Sequence, residues 1–377
     1  MNFDKITAYL ESLPAAYDIP SYDCIIMDNH KQVYRHMGGT VDISHTIPVS
    51  GENTYLMFSM TKIQTMTALM QLVEQGRLSL QDEVASYLPA YKNLMVREMQ
   101  NGEEKIVPAK EPLRIRHLVS MQSGLDYNLE RAGILRTIAE YGDSATTRQI
   151  VDSFVETPLQ FSPGEHFLYS LSHDVVAAIV EVVSGMRFSE YLRKNLWDKL
   201  GMKNTHFFKR SVQEPKLAQQ FICTEQGVVP MENDCCYQFT ESYESGGAGL
   251  VSCTEDYAIL ADTLACGGIS RDGVRILKPE TIEIIRTNLL SEQGRKDIVS
   301  TMGRVGYGYG CGMQIFMNPE LVNSPAKAGV FGWDGAAGSC TIMDRDNNRA
   351  LVFVIHVRNL GRAYSEIHPK LRDLLFE

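Results

Sequence analysis

The segment Leu351-Val352-Phe353-Val354-Ile355 is apolar at every position. Successive strand residues point to opposite faces, so such a strand belongs in a sheet covered by helices on both sides. The turn Asp344-Arg345-Asp346-Asn347-Asn348 precedes it and separates strands at 339–343 and 350–357. At the other end of the chain, after a first helix, 22–27 and 33–36 flank Asn29-His30-Lys31 and read as a hairpin. Between these sheet pieces the periods are mostly helical, at 83–88, 116–121, 147–156, 173–184 and 188–200, with Pro and Gly at the joints. Strand signals return near 217–223 and beyond Gly308, and 364–376 is a covering helix despite Pro369. The expected organisation is an α/β (α+β) sheet domain from 1–77 and 210–377, with a mostly helical domain, 78–209, inserted into it. A cleft between the two lobes is the expected place for a ligand.

A length of 377 residues suits two such lobes. The net charge of −10 offers no basic face to phosphates or anionic lipid, which argues against nucleic-acid and membrane partners. The N-terminal stretch Met1-Asn2-Phe3-Asp4-Lys5-Ile6 carries an early acid and begins no apolar run long enough for a signal peptide or a span, which predicts a mature, cytoplasmic start. The 8 cysteines show no metal-knuckle spacing, so reduced and mostly buried thiols are expected. The adjacent Cys235 and Cys236 are read as packing residues rather than a redox or metal site.

Chemistry enters at Ser59-Met60-Thr61-Lys62. The apolar series Ile63, Met66, Leu69, Met70, Leu72 and Val73 recurs at helical intervals and stops at Gly76, so the pair lies on one face of the first turn of a buried helix. The serine sits near the positive end of the helix dipole. A lysine forced into such a packed place loses solvation, its pKa falls, and it can serve as the base for a serine nucleophile. A capping serine beside a surface lysine gives the same spacing. A second copy, Ser324-Pro325-Ala326-Lys327, leads into a turn with no helical period.

Two further elements join it. Pro163-Gly164-Glu165-His166-Phe167-Leu168-Tyr169-Ser170 is a turn that places a phenol before the helix carrying Val175, Val176, Ile179 and Val183. Gly332-Trp333-Asp334-Gly335-Ala336-Ala337-Gly338-Ser339 supplies small residues at a strand, where backbone can approach a substrate and an N–H can hold an oxyanion.

Together these three elements resemble the serine β-lactamase and penicillin-binding protein superfamily, in particular the branch of class C β-lactamases, β-lactamase-like esterases and D-amino-acid peptidases. The segments 115–125, 190–202 and 245–252 are similar too, so the resemblance runs from about 20 to 360. It implies a β-lactamase/transpeptidase-like fold, an antiparallel sheet flanked by helices with a helical insert. It also implies Ser59 as acylated nucleophile, Lys62 as proton acceptor, Tyr169 as proton shuttle, and the backbone N–H groups of Ser59 and Ala336 as the oxyanion hole. No metal or cofactor is needed for such chemistry.

Departures from the family pattern bear on substrate. Where the family usually has Asn two residues after the tyrosine, this chain has Leu171, which cannot hydrogen-bond a substrate amide. Where penicillin-hydrolysing members carry Lys-Thr-Gly, it has Trp333, Asp334 and Gly335, so the pull on a β-lactam carboxylate is weaker. Leu171, Trp333, Asp334 and Gly335 are therefore the expected substrate-pocket residues. Asp334 is either a contact for a cationic substrate group or a solvated turn residue. His173 is expected to cap its helix or face solvent. The glycine-rich run 306–312 lacks dinucleotide spacing and marks a tight strand entry with aromatics along the cleft. The leading expectation is a serine hydrolase of small molecules, with esters first, β-lactams second and D-amino-acid amides or peptides third. The alternative is a penicillin-binding or sensor-like module that binds, or is acylated, without turnover.

Overall fold

Asn29 and His30 both adopt positive φ, 47° and 67°, and this tight turn closes the hairpin Ser21–Asp28/Lys31–Gly39 with Asp28 opposite Lys31. In the computed structural model, which describes residues 3–377, the hairpin forms one end of a 7-stranded sheet. The order across the sheet is Tyr307–Tyr309, Gln314–Phe316, Phe331–Asp334, Cys340–Asp344, Arg349–Val354, Ser21–Asp28, Lys31–Gly39, every neighbouring pair antiparallel. The first and last parts of the chain therefore pair in the sheet interior, Cys24 opposite Phe353. Met1 and Asn2 of the N-terminal stretch read above lie outside the described residues.

Strand Arg349–Val354 behaves as its composition dictates. Leu351, Phe353 and Ile355 pack in a layer with Ile6, Leu10 and Leu13 of helix Phe3–Tyr17 and with Ile367, Leu371 and Leu374 near the C-terminus. Ala350, Val352 and Val354 face the larger core, which holds Leu260 and Leu264 of helix Thr254–Ala265 and Ile63, Met66 and Leu69 of helix Thr61–Glu74. Pro369 does not break the terminal helix. It closely follows a π turn at Ala363–Ile367, whose wider backbone ladder accommodates a residue without an N–H inside the continuous helix.

Residues 78–209 supply helices Ile115–Val119, Ala132–Tyr141, Thr147–Asp152, Ser172–Ser184 and Phe188–Leu192. A hairpin that the helical reading passed over, Met95–Gln100/Glu103–Pro108, interrupts them. Its strands are largely exposed and lack a strong apolar alternation, but Asn101-Gly102, both at positive φ, is a hairpin turn signal. The expected helix at 83–88 is a single 3₁₀ turn, Val84–Ser86. The larger core is continuous from this segment into the sheet layer, and Trp197 Nε1 donates to Gln64 Oε1 at 2.6 Å across the join. No helix among the described residues is long and apolar enough to cross a membrane.

Phe353 is fully buried where the two-sided strand meets the terminal helices. Phe353→Ala is expected to lower unfolding free energy by about 3–5 kcal/mol, read from urea denaturation; a loss below about 1 kcal/mol would contradict a tightly covered second face.

Candidate active site

Ser59 lies in a 3₁₀ turn, Phe58–Met60, that runs directly into helix Thr61–Glu74. Phe58 has φ of 45°, a conformation that costs a residue with a Cβ about 1–3 kcal/mol, and it is held there by full burial. The turn is pinned on both sides. Met57 N–H donates to Leu250 O at 2.8 Å, Leu250 N–H donates to Thr61 Oγ1 at 3.2 Å, and Tyr257 Oη–H donates to Met60 O.

One helical turn on, Lys62 is completely buried. Its Nζ donates to Ser59 Oγ at 3.2 Å, to Tyr127 Oη at 3.1 Å and to Gly247 O at 2.7 Å, three acceptors for three protons. The ammonium also lies 4.7 Å from the Tyr169 ring centre and 5.5 Å from that of Tyr127. Burial pushes the Lys62 pKa down to about 7, against the opposing pull of the Asp174 and Asp334 carboxylates. Burial also raises the Tyr169 pKa, with the Ser59 hydroxyl and the Trp333 indole pulling it back. Tyr127 is raised well above the ordinary phenol value by burial and by its neighbours Tyr169 and Asp174. Near neutral pH the two phenols keep their protons and the amine shares its own.

The structure thus brings Ser59, Lys62 and Tyr169 together, and adds groups the sequence reading missed. Tyr127 stands two residues past the quoted segment 115–125, and its ring centre is 5.4 Å from that of Tyr169. Asp174 is wholly buried in helix Ser172–Ser184, where its Oδ1 accepts from Tyr243 Oη at 2.7 Å, Ser245 Oγ at 2.6 Å and Gly247 N at 3.4 Å. That carboxylate therefore fixes the loop whose carbonyl receives Lys62. Gly246 and Gly247 are glycine because a Cβ would come within 2.4 Å of His173 O or 2.7 Å of Asp174 Oδ2. No sequence signal joined Asp174 to Lys62 except its place five residues after Tyr169.

Ala336 and Gly335 lie in the turn after strand Phe331–Asp334. Gly335 N–H donates to Ser339 O at 2.8 Å and Gly338 N–H to Gly335 O at 2.9 Å, two bonds that close the turn carrying Ala336. A Cβ on Gly335 would stand 2.5 Å from Met57 O, so the glycine lets this turn reach the segment leading to Ser59.

The pocket expectations need correction. Leu171 is 2 % exposed and packs in the main core, because an apolar side chain at that helix start gains more from burial than from lining a polar cleft. Trp333 is also buried; its Nε1–H donates to Tyr169 Oη at 2.9 Å and its ring meets those of Tyr169 and Tyr309. It touches the candidate site as a support for the phenol. Asp334 is neither solvated nor open to a substrate amine. It is 6 % exposed, ion-paired with Arg304 and 3.7 Å from His368 Nδ1. Burial works to raise its pKa, but Arg304 and His368 hold it below the usual carboxylate value. His173 is fully buried rather than at the surface, and burial with the nearby Lys62 charge keeps it neutral. Tyr309, from the glycine-rich run, does pack along the cleft aromatics, whereas Cys235 is buried and Cys236 exposed as free thiols.

Comparison with known proteins places this geometry in context. The family model described as beta-lactamase matches residues 6–373. Esterase EstB of Burkholderia gladioli is 25% identical over 93% of this chain and 89% of its own length. Acyltransferase calJ of Penicillium decumbens is 28% identical over 76% of this chain and 72% of its own length. Among solved structures, EstCE1, described as a hydrolase with promiscuous acyltransferase activity, superimposes with a TM-score of 0.80 at 23% identity, covering 99% of this chain and 98% of its own. The chain belongs to the β-lactamase family and has the β-lactamase/transpeptidase-like fold.

Removing Arg304 strips the buried Asp334 carboxylate of its guanidinium and leaves only His368, 3.7 Å away, beside it. Arg304→Met is expected to cost about 3–5 kcal/mol of unfolding free energy, and adding Asp334→Leu to restore part of it; equal stability of the single variant and wild type would refute the pairing.

Proposed function

We propose that this member of the β-lactamase family is a serine hydrolase that cleaves small esters through an acyl-enzyme on Ser59, in a cleft between the sheet segments 1–77 and 210–377 and the helical segment 78–209. The observation that carries this reading is the buried Lys62 ammonium, 3.2 Å from Ser59 Oγ with its pKa brought down to about 7. An amine neutral in part of the population at working pH can take the hydroxyl proton as Oγ attacks the carbonyl carbon. The tetrahedral oxyanion would then lie against the N–H groups of Ser59 and Ala336. Tyr169, kept protonated by its surroundings and oriented by Trp333, passes a proton to the departing alcohol oxygen and later takes one from water as the acyl-enzyme is hydrolysed. Tyr127, beside Tyr169, holds the amine in place and belongs to the same proton-sharing group.

Esters rank above β-lactams and D-amino-acid amides. At the third motif the Trp333 N–H is directed at Tyr169 and the Asp334 charge is matched by Arg304, so this strand offers no free cation to a β-lactam carboxylate. A pocket that binds without turnover is the less favoured reading, since EstB and calJ carry the names of an esterase and an acyltransferase.

Intact-mass spectrometry after a fluorophosphonate should show one adduct on wild type and none on Ser59→Ala. The same substitution should reduce hydrolysis of a short-chain nitrophenyl ester on the order of 10⁴-fold or more. A chromogenic cephalosporin should be turned over more slowly than the ester. Labelling that persists in Ser59→Ala would remove Ser59 as nucleophile.

The pH profile is fixed in sign. Lys62 has a depressed pKa and acts when neutral, so kcat/KM should rise with pH through about 7. The titratable groups facing it are Tyr127, Tyr169, His173, Asp174 and Asp334. Asp174→Asn removes a negative charge that favours the ammonium, so the rise should move to lower pH by roughly 0.5–1 unit. A lower kcat/KM with an unmoved profile would make Asp174 a purely structural residue.

A further inference from the structure

The turn that closes the first hairpin also lays His30 against helix Thr254–Ala265. His30 N–H meets Asp262 Oδ1 at 3.1 Å and His30 Nδ1 meets Asp262 Oδ2 at 2.7 Å. Cys266, four residues on and so on the same helix face, has its Sγ 3.6 Å from Asp262 Oδ1. The Asp262 side chain is 4% exposed, and among the described residues no lysine or arginine pairs with it; its ionic partner is His30. A nearly buried carboxylate is thus matched only by a titratable imidazole, with a thiol beside it. The ligand atoms of all three residues lie within 4.8 Å of one another.

We propose that His30 Nδ1, an Asp262 carboxylate oxygen and Cys266 Sγ form a binding site for a divalent cation of borderline softness, zinc foremost. Imidazole nitrogen, thiolate and carboxylate bind zinc at about 2.0–2.3 Å, which sets tetrahedral ligand-to-ligand edges of about 3.4 Å. The Oδ1 to Sγ separation of 3.6 Å already suits that edge. The shorter Nδ1 to Oδ2 contact is a hydrogen bond and must open by roughly 0.6 Å once the proton between them is gone, a movement open to a ring on an exposed turn. On binding, three metal–ligand bonds form; the Cys266 S–H bond and the His30 Nδ1–H bond that bridges to Asp262 both break, their protons passing to solvent, and the imidazole is left neutral with its proton on Nε2. Thiolate and carboxylate then bring two negative charges to a dication. Calcium and magnesium are disfavoured, because they require several oxygen ligands and this set offers one carboxylate and a soft sulfur. A cavity of ≈ 180 Å³, lined in part by His30, Gln32, Glu255, Asp262 and Ser270, reaches two of the three ligands.

The site is separate from Ser59 and its test does not depend on turnover. Chelator-treated protein titrated with Co²⁺ should develop a near-ultraviolet thiolate-to-cobalt charge-transfer band that saturates at one equivalent and is displaced by Zn²⁺. Cys266→Ser should abolish the band, and Cys236→Ser, at an exposed thiol, should leave it intact. His30→Ala should weaken Co²⁺ binding at least tenfold, which keeps the test decisive if Cys266→Ser fails to fold. Absence of a stoichiometric band at micromolar Co²⁺, or a band that survives His30→Ala unchanged, would reduce the trio to a hydrogen-bonded cluster.

Discussion

An ammonium taken out of water must find a hydrogen-bond acceptor for each of its protons, and that requirement at Lys62 organises the centre of this molecule. Its three acceptors come from the 3₁₀ turn at Ser59, from Tyr127 after the short helix Ile115–Val119, and from Gly247 in a glycine-rich loop. None of these segments is free to drift. Thr65 Oγ1 donates to Gly246 O at 2.6 Å, which ties the loop to the helix that carries Lys62, and Asp174 ties it to helix Ser172–Ser184. The desolvation that lowers the lysine pKa and the packing that joins the helical segment to the sheet are therefore the same physical event, seen once as chemistry and once as stability.

The sheet answers this centre from the other side. Gly332 and Gly335 bracket Trp333 and Asp334, and each is needed for want of room: a Cβ would fall 1.9 Å from Thr341 O at the first and 2.5 Å from Met57 O at the second. With both glycines in place the strand end can lie against the Ser59 turn. Trp333 then faces the phenol of Tyr169, while Asp334 turns to Arg304 and His368. Alternation along one strand separates a group that orients the Tyr169 hydroxyl from an ion pair that anchors the strand.

Periodicity was enough to find the parts of this architecture that are local. The two-sided strand at 351–355, the hairpin around Asn29 and the helix opening at Ser59 each declare themselves within a dozen residues, and Ser59, Lys62 and Tyr169 follow from short motifs. What stayed hidden depends on distant partners. Asp174 and Gly247 are 73 residues apart, and nothing in either neighbourhood shows that one fixes the other beneath Lys62. Asp334 looked exposed because an aspartate in a glycine-rich turn usually is, and only the fold reveals the arginine 30 residues earlier that draws it inside. His173 misled for a similar reason: a histidine at a helix start normally seeks water, but here glycines at 246 and 312 let neighbouring backbone close over it.

The third motif carries the main consequence for chemistry. A lysine on that strand would put a mobile cation beside Ser59 and close enough to Lys62 to depress its pKa further by like-charge repulsion. Tryptophan does neither. Its N–H fixes the Tyr169 hydroxyl in one orientation, and its ring, with those of Tyr169 and Tyr309, makes the wall behind the serine apolar. The cost of burying Lys62 is then offset by neutral acceptors and by carboxylates at a distance, Asp174 and Asp334, which hold its pKa near 7 instead of lower. Exchanging a cation for an indole thus moves two properties together: the strand presents no positive charge, and the Lys62 pKa stays near 7. In the reaction proposed for Ser59, such a balance suits uncharged acyl groups, whose carbonyl carbon needs a ready nucleophile more than it needs a counter-ion.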